Sequence, residues 1–161
     1  MLASGIAVGF LAGWLAGGRP SRLADLQISW WPILLIALGL RFAAPSLGES
    51  FALWLISFAA IAAIAAINYR IPGMGLIAAG AGLNLLIVVL NQAMPVDVAA
   101  AAIAHAEIAP DGLHRALQDT DVLALFADRI PVPGLARVYS AGDLLLAAGG
   151  AWVPFARMRG H

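Results

Sequence analysis

The chain has 161 residues, of which 62% are hydrophobic and 11% charged, and its mean hydropathy is +0.91. Soluble domains average about 45–50% apolar and about 25% charged residues, so this composition exceeds what a water-facing globule needs and points to a bilayer. Nine basic residues, all arginine, balance nine acidic ones, which excludes the basic patch of a nucleic-acid binder; the absence of cysteine excludes disulfides, thiolate metal sites and cysteine nucleophiles.

A spanning helix takes about 20 mainly apolar residues, within a usual range of about 17–25. Five segments reach that length, at roughly 2–18, 28–44, 51–68, 73–91 and 140–156. In the first, "MLASGIAVGFLAGWLAGGRPSR", the arginines follow the apolar run, whereas a secretory signal carries positive charge before it. It therefore reads as a retained membrane helix. Gly5, Gly9, Gly13 and Gly17 recur every fourth residue along it and form one smooth face. Lipid gives helices no hydrophobic reason to associate, so close contact between small residues has to hold them together. Packing within the bundle is the first reading of this stripe; a dimer interface or a lipid groove are the others. The third segment, "FAAIAAIAAIN", and the start of the fourth, "GMGLIAAGAG", are smooth in the same way.

Charge placement orients these helices. Arg19 and Arg22 follow the first, Arg70 the third, and Arg157 and Arg159 the fifth. With basic residues kept on the cytoplasmic side, the N-terminus lies outside and the C-terminus inside the plasma (inner) membrane. The Glu49 loop and a long stretch over 92–139 then face outward. Trp14, Trp30, Trp31, Tyr69 and Trp152 fall near the inner interface, and Trp54 and Tyr139 near the outer one, the depth that amphipathic rings prefer. The fold class expected is all-α: a polytopic bundle of about five transmembrane helices with a small extracytoplasmic helical cap. Residues 1–91 form a four-helix part, 92–139 the cap, and 140–161 the fifth helix with a cytoplasmic tail.

The stretch over 92–139 is too long for a simple loop. Asp97 and Asp111 suit helix N-caps, while Pro110, Pro131 and Pro133 suit segment ends. The pattern predicts two or three short helices lying over the outer face.

Polar residues inside the apolar segments mark the candidate site. Asn84 and Asn91 lie two helical turns apart on one face of the fourth segment. Arg41 stands near the outer end of the second, and Asp143 opens the fifth in "YSAGDLLLAAGG". The four fall at similar depth, where ionisable groups usually face the bundle interior or a wet cavity, and Arg41 with Asp143 is the expected charge pair. Against this stands a structural account: "SAGD" is a capping box, Arg41 snorkels to headgroups, and the asparagines are interhelical glue. Asn68 belongs to the inner interface, outside this cluster.

Catalytic and metal signatures are weak. His105, Glu107, Asp111 and His114 match no zinc spacing, so surface and capping roles suit them better and no metal is expected. "DTD" at 119–121 is too short for a calcium loop. The nucleophile elbow, phosphate loop and dinucleotide fingerprint are all missing.

The glycine-rich first helix ending in arginines, "WWPILLIALGLR", "LNLLIVVLNQAMPV", "DTDVLALFADRIPVPG" and "YSAGDLLLAAGG" together resemble a family of small bacterial integral membrane proteins, the domain of unknown function 5317. The asparagine followed by Met-Pro-Val and the Ser-x-Gly-Asp opening of the last helix are its more specific parts. Gln92-Ala93 stand where the resemblance leads one to expect glycines. It implies a domain of about five spans with an external segment, and carries no activity or catalytic residue.

Three functional readings follow. The leading one is a non-catalytic membrane protein: a scaffold, an accessory subunit, or a binder of lipid or quinone, with its polar site in the outer half of the bundle at Arg41, Asn84, Asn91 and Asp143. The second is a small transporter or channel component. The third is a membrane enzyme acting on a lipid head group, with Asp143 or His114 as its acid or base. The partners expected are the lipid bilayer and, through the smooth faces, other membrane subunits or a second copy; no nucleic acid and no cofactor beyond a bound lipid or quinone is implied.

Overall fold

A computed structural model describes residues 1–47, 50–108 and 113–160, with the side chains of residues 41, 42, 44–47 and 50 outside that description. The apolar stretches coil into long helices, in which each backbone group is satisfied within its own segment. These are α1 (Leu2–Leu15), α2 (Trp31–Leu47), α3 (Ser50–Ile67), α4 (Met74–Asn91) and, after the 92–139 segment, α6 (Ala141–Arg159). Spatial order differs from chain order: α1 packs on α6, α6 on α4, α4 on α3 and α3 on α2. The last helix is thus inserted between the first and the fourth. Trp54, Phe58, Ile61, Met74, Ile77, Ile87 and Leu146 form the centre of the core, with Trp54 stacked on Phe58 at 4.1 Å between ring centroids. Trp54 is therefore a core residue and not an interfacial one.

One described helix, α4, is long and apolar enough to cross a membrane by itself, with 18 residues and a mean hydropathy of 2.0. This is coarser than five spans, and the reasons are local. Helix α1 stops after 14 residues, because Gly17 turns left-handed at φ 79° and the Gly18 N–H returns to the Gly13 carbonyl. Helix α6 is longer but carries Asp143, Arg157 and Arg159, which lower its hydropathy.

The 92–139 segment departs further from expectation. Its described residues hold three short helices, within the number expected, namely α5 (Val98–Ala104) and 3-10 turns at Ala124–Phe126 and Pro133–Leu135, but also four three-residue strands, so the fold is mostly helical and not all-α. Asp97 caps α5, accepting from the backbone N–H groups of Ala99 (2.9 Å) and Ala100 (3.2 Å). Strand β1 (Met94–Val96) runs parallel to β2 (His114–Ala116), and β3 (Ile130–Val132) antiparallel to β4 (Arg137–Tyr139). Pro131 lies inside β3 and does not end it; a two-stranded ribbon has outward-facing N–H positions where proline removes nothing. The Asp111 cap and Pro110 break lie outside the described residues.

Candidate functional site

Helix α4 meets α6 antiparallel along glycines. A methyl built on Gly80 would strike the Gly142 carbonyl, and one on Gly73 the Gly149 carbonyl, so only hydrogen at these positions lets the backbones touch. At the end of this seam, contact brings Asn84 onto the first turn of α6. Its Oδ1 accepts the Ser140 hydroxyl at 2.8 Å, and its Nδ2 donates to Oδ1 of Asp143 at 3.2 Å. Ser140 and Asp143 also cap α6 reciprocally. The Asp143 N–H donates to Ser140 Oγ (3.0 Å), and the Ser140 N–H to Asp143 Oδ2 (3.4 Å). Asn84 is 1% exposed and Ser140 0%, with Asp143 half-buried beside them, so the Asn84–Ser140 pair is shut off from water and each depends on the other.

Immediately beside it opens a polar cleft of about 490 Å³, lined by Glu107, His114, Asp128, Arg137, Tyr139 and Asp143 among others. Strand β1 positions its deepest group. The Asp128 N–H donates to the Pro95 carbonyl (3.0 Å) and the Asp97 N–H to the Asp128 carbonyl (2.9 Å), a parallel bridge on the edge of β1 away from β2. This fixes the Asp128 side chain at 6% exposure; its Oδ2 stands 4.0 Å from His114 Nε2, and its Oδ1 has no hydrogen-bond partner among the described residues. Burial, reinforced by the charge of Asp143, pushes the Asp128 carboxyl up to about 8. Two carboxylates elsewhere in the 92–139 segment are satisfied. Asp97 is held below the usual range by the Ala100 and Ala99 amides and by Arg129, and Asp121 by its hydrogen bonds from Arg115.

Of the four predicted cluster residues, the structure brings Asn84 and Asp143 together. Asn91 goes elsewhere: its amide clamps the backbone of Val122, accepting from the N–H (2.8 Å) and donating to the carbonyl (2.9 Å). Its Nδ2 also reaches the Ile87 carbonyl one turn back. The Arg41 side chain lies outside the described residues, and with it the expected pair; its helix α2 packs on α3. Asn68 repeats the Asn91 geometry at the opposite end of the bundle, clamping the N–H and carbonyl of Ser29. Gly5, Gly9 and Gly13 all face α6, whereas Gly17 has nothing within 4 Å and serves the turn. Among the described residues no three of histidine, aspartate and glutamate converge as metal ligands. Glu107 and His114 line the cleft, while His105 ends α5 with φ 53° and Asp111 lies outside the description.

The chain matches the model of a family of unknown function, DUF5317, over residues 25–154, most of its length. It belongs to that family. The match to DUF5317 covers Asn84, Asn91, Asp128, Ser140 and Asp143, and so both the buried network and the cleft; the glycine stripe of α1 precedes it. No curated protein and no solved structure matches the chain. Sequence reasoning about this DUF5317 chain did not single out Asp128 in "LFADRIPVPG". Nothing local marks it: its burial comes from pairing with Pro95 and Asp97, more than thirty positions away.

Proposed function

We propose that the chain is a non-catalytic, multi-pass protein of the bacterial plasma membrane, N-terminus outside, that binds a small organic cation in the outer polar cleft. The membrane part of this reading draws support from large apolar side chains turned outward, among them Val8, Leu11, Ile36, Ile56 and Leu90, each with 48–62% of its surface exposed. Soluble monomers rarely leave such faces open. Exposed Trp14, Trp30, Trp31, Tyr69 and Trp152 add to it at the end assigned to the cytoplasm.

The observation that carries the binding reading is Asp128, a nine-tenths-buried carboxyl beside Asp143 and Glu107, one oxygen of which has no partner among the described residues. A buried polar atom without a partner is costly, and an ammonium group supplies the missing donor and the missing charge together. A binder is favoured over a conduit because α4 continues from Asn84 toward the other end as Ala81, Ile77 and Met74, all buried and apolar. It is favoured over an enzyme because both oxygens of Asp143 already accept hydrogen bonds.

The sign of the pH effect follows from linkage. The folded-state value of Asp128 is raised above that of the unfolded chain, so stability is greatest while the group is protonated and falls as pH rises through about 8. A bound ammonium competes with that proton and is held more tightly at higher pH. In thermal-shift measurements on detergent-solubilised protein with methylammonium, ethylammonium and 1,4-diaminobutane, the wild type gains more melting temperature at about pH 9 than at about pH 6. Asp128→Asn gains nothing from amines and loses the wild type's decline toward alkaline pH. Equal amine shifts in wild type and Asp128→Asn, or no shift at the alkaline pH, would overturn the reading.

A further inference from the structure

The opposite end of the bundle carries a second cavity system, of different chemistry. Because α6 is inserted between α1 and α4, α1 does not close against α2 and α3. The gap is an apolar groove of about 320 Å³, lined among others by Phe10 of α1, Leu38 of α2, Ile64 of α3, Ile77 of α4 and Val153 of α6. A polar pocket of about 460 Å³ adjoins it and shares two lining residues with it, Leu26 and Val153. Arg70, Arg157 and Asp25 line that pocket. An apolar slot thus runs into a mouth where arginines outnumber the single carboxylate.

Both guanidinium groups are anchored but not consumed. Arg157 donates Nη2 to the Asp25 carbonyl (3.0 Å), and Arg70 donates Nε to the Tyr69 hydroxyl (3.3 Å) while lying 5.7 Å from the centre of that ring. An arginine has five N–H donors, so most remain for a ligand, and among the described residues no carboxylate forms an ion pair with either side chain. Two other arginines of this end are committed to stitching helix termini. Arg22 donates to the Met158 carbonyl (3.1 Å), and Arg159 to the Ala16 carbonyl (2.7 Å), so α1 and α6 close on each other with cations at the negative ends of their dipoles.

We propose that groove and mouth together hold one anionic phospholipid, its phosphate between Arg70 and Arg157 and an acyl chain in the groove beneath α1. Charge complementarity selects the head group, because paired arginines favour phosphate with an extra net negative charge over a zwitterionic head. The groove selects the tail. Exposed Tyr69, bonded to Arg70 at the mouth, is the kind of amphipathic ring that favours head-group depth. The site shares no residue with the outer cleft and does not depend on what that cleft binds.

The test is native mass spectrometry on delipidated protein in detergent, offered phosphatidylglycerol or phosphatidylcholine with identical chains. Wild type retains phosphatidylglycerol over phosphatidylcholine by about tenfold, and Arg70→Gln with Arg157→Gln abolishes the preference. Arg70→Gln alone, which breaks no contact between helix ends, lowers it by about threefold. Arg159→Gln leaves it unchanged. Leu26→Trp, which blocks the junction between mouth and groove, lowers retention of both lipids. An unchanged preference in the double variant overturns the site. So does a wild type that reconstitutes into phosphatidylcholine vesicles yet shows no preference, an outcome that leaves the membrane reading standing.

Discussion

Against α1, helix α6 meets a stripe of glycines and nothing polar; against α4 it meets glycines again and then, at the end nearest the cleft, a buried asparagine. Methyl groups built on Gly5 and Gly9 would run into the carbonyls of Ala147 and Ala151, just as one on Gly80 would strike Gly142. Both seams therefore gain the same close backbone approach. Only the α4 seam adds direction, because Asn84 must find Ser140 and Asp143 at one axial position. Van der Waals contact between smooth faces tolerates sliding by a turn, whereas three hydrogen-bonding groups, two of them buried, have one arrangement that satisfies them all. The comparison assigns adhesion to the glycines and register to the asparagine.

The largest effect expected is at the purely steric seam. Gly9→Ala places a methyl on the Ala151 carbonyl and lowers stability by on the order of 3 kcal/mol. Gly82→Ala, on a glycine with nothing within 4 Å, raises stability by up to about 1 kcal/mol through helix propensity alone. Opposite signs for one chemical change, read as melting temperatures in detergent, separate contact from propensity; equal shifts would mean that α1 does not rest on α6.

Register is tested by coupling. Asn84→Ala leaves a buried serine hydroxyl without its acceptor and costs about 2 kcal/mol, while Ser140→Ala costs about 1 kcal/mol through the cap. Because the first substitution already strands the serine, the double variant loses less than the sum. Asn91→Ala also lowers stability, by about 1 kcal/mol, but is additive with Ser140→Ala, since its clamp on Val122 shares no partner with the cap. Additivity in both pairs would show that Asn84 is not part of the network.

These variants also mark where sequence was legible. Helix positions and the small-residue faces follow from composition and period, because a helix is a local object. The "SAGD" cap is local as well. The meeting of Asn84 with Asp143 was within reach, since both groups are costly to leave unsatisfied in an apolar bundle and lie at matching depth. Grouping Asn91 with them failed: a shared helix face fixes direction but not partner, and Asn91 stands at the last turn, where the chain itself returns to meet it. The strands of 94–96 and 114–116 were illegible for a related reason. Three-residue strands have too little alternation to read, and "MPV" looks like a break because its partner is twenty residues away.

The smallest effect concerns the turn after α4, where the family resemblance leads one to expect glycine and this chain has Gln92. The residue sits at φ 58°, a left-handed conformation that costs a side-chain-bearing residue about 1 kcal/mol, and its Nε2 recovers part of that by donating to the Val89 carbonyl at 2.8 Å. Ala136, before β4, has φ 48° and no side-chain donor to offset the strain. Gln92→Gly therefore gains only a few tenths of a kcal/mol, because relief of strain is offset by the lost hydrogen bond and by the freer unfolded chain. Ala136→Gly carries no lost bond and gains more, up to about 0.5 kcal/mol. Chemical denaturation resolves the order of the two. If Gln92→Gly gains at least as much as Ala136→Gly, the Val89 contact contributes nothing, and a glycine there would serve the turn as well as the glutamine this chain carries.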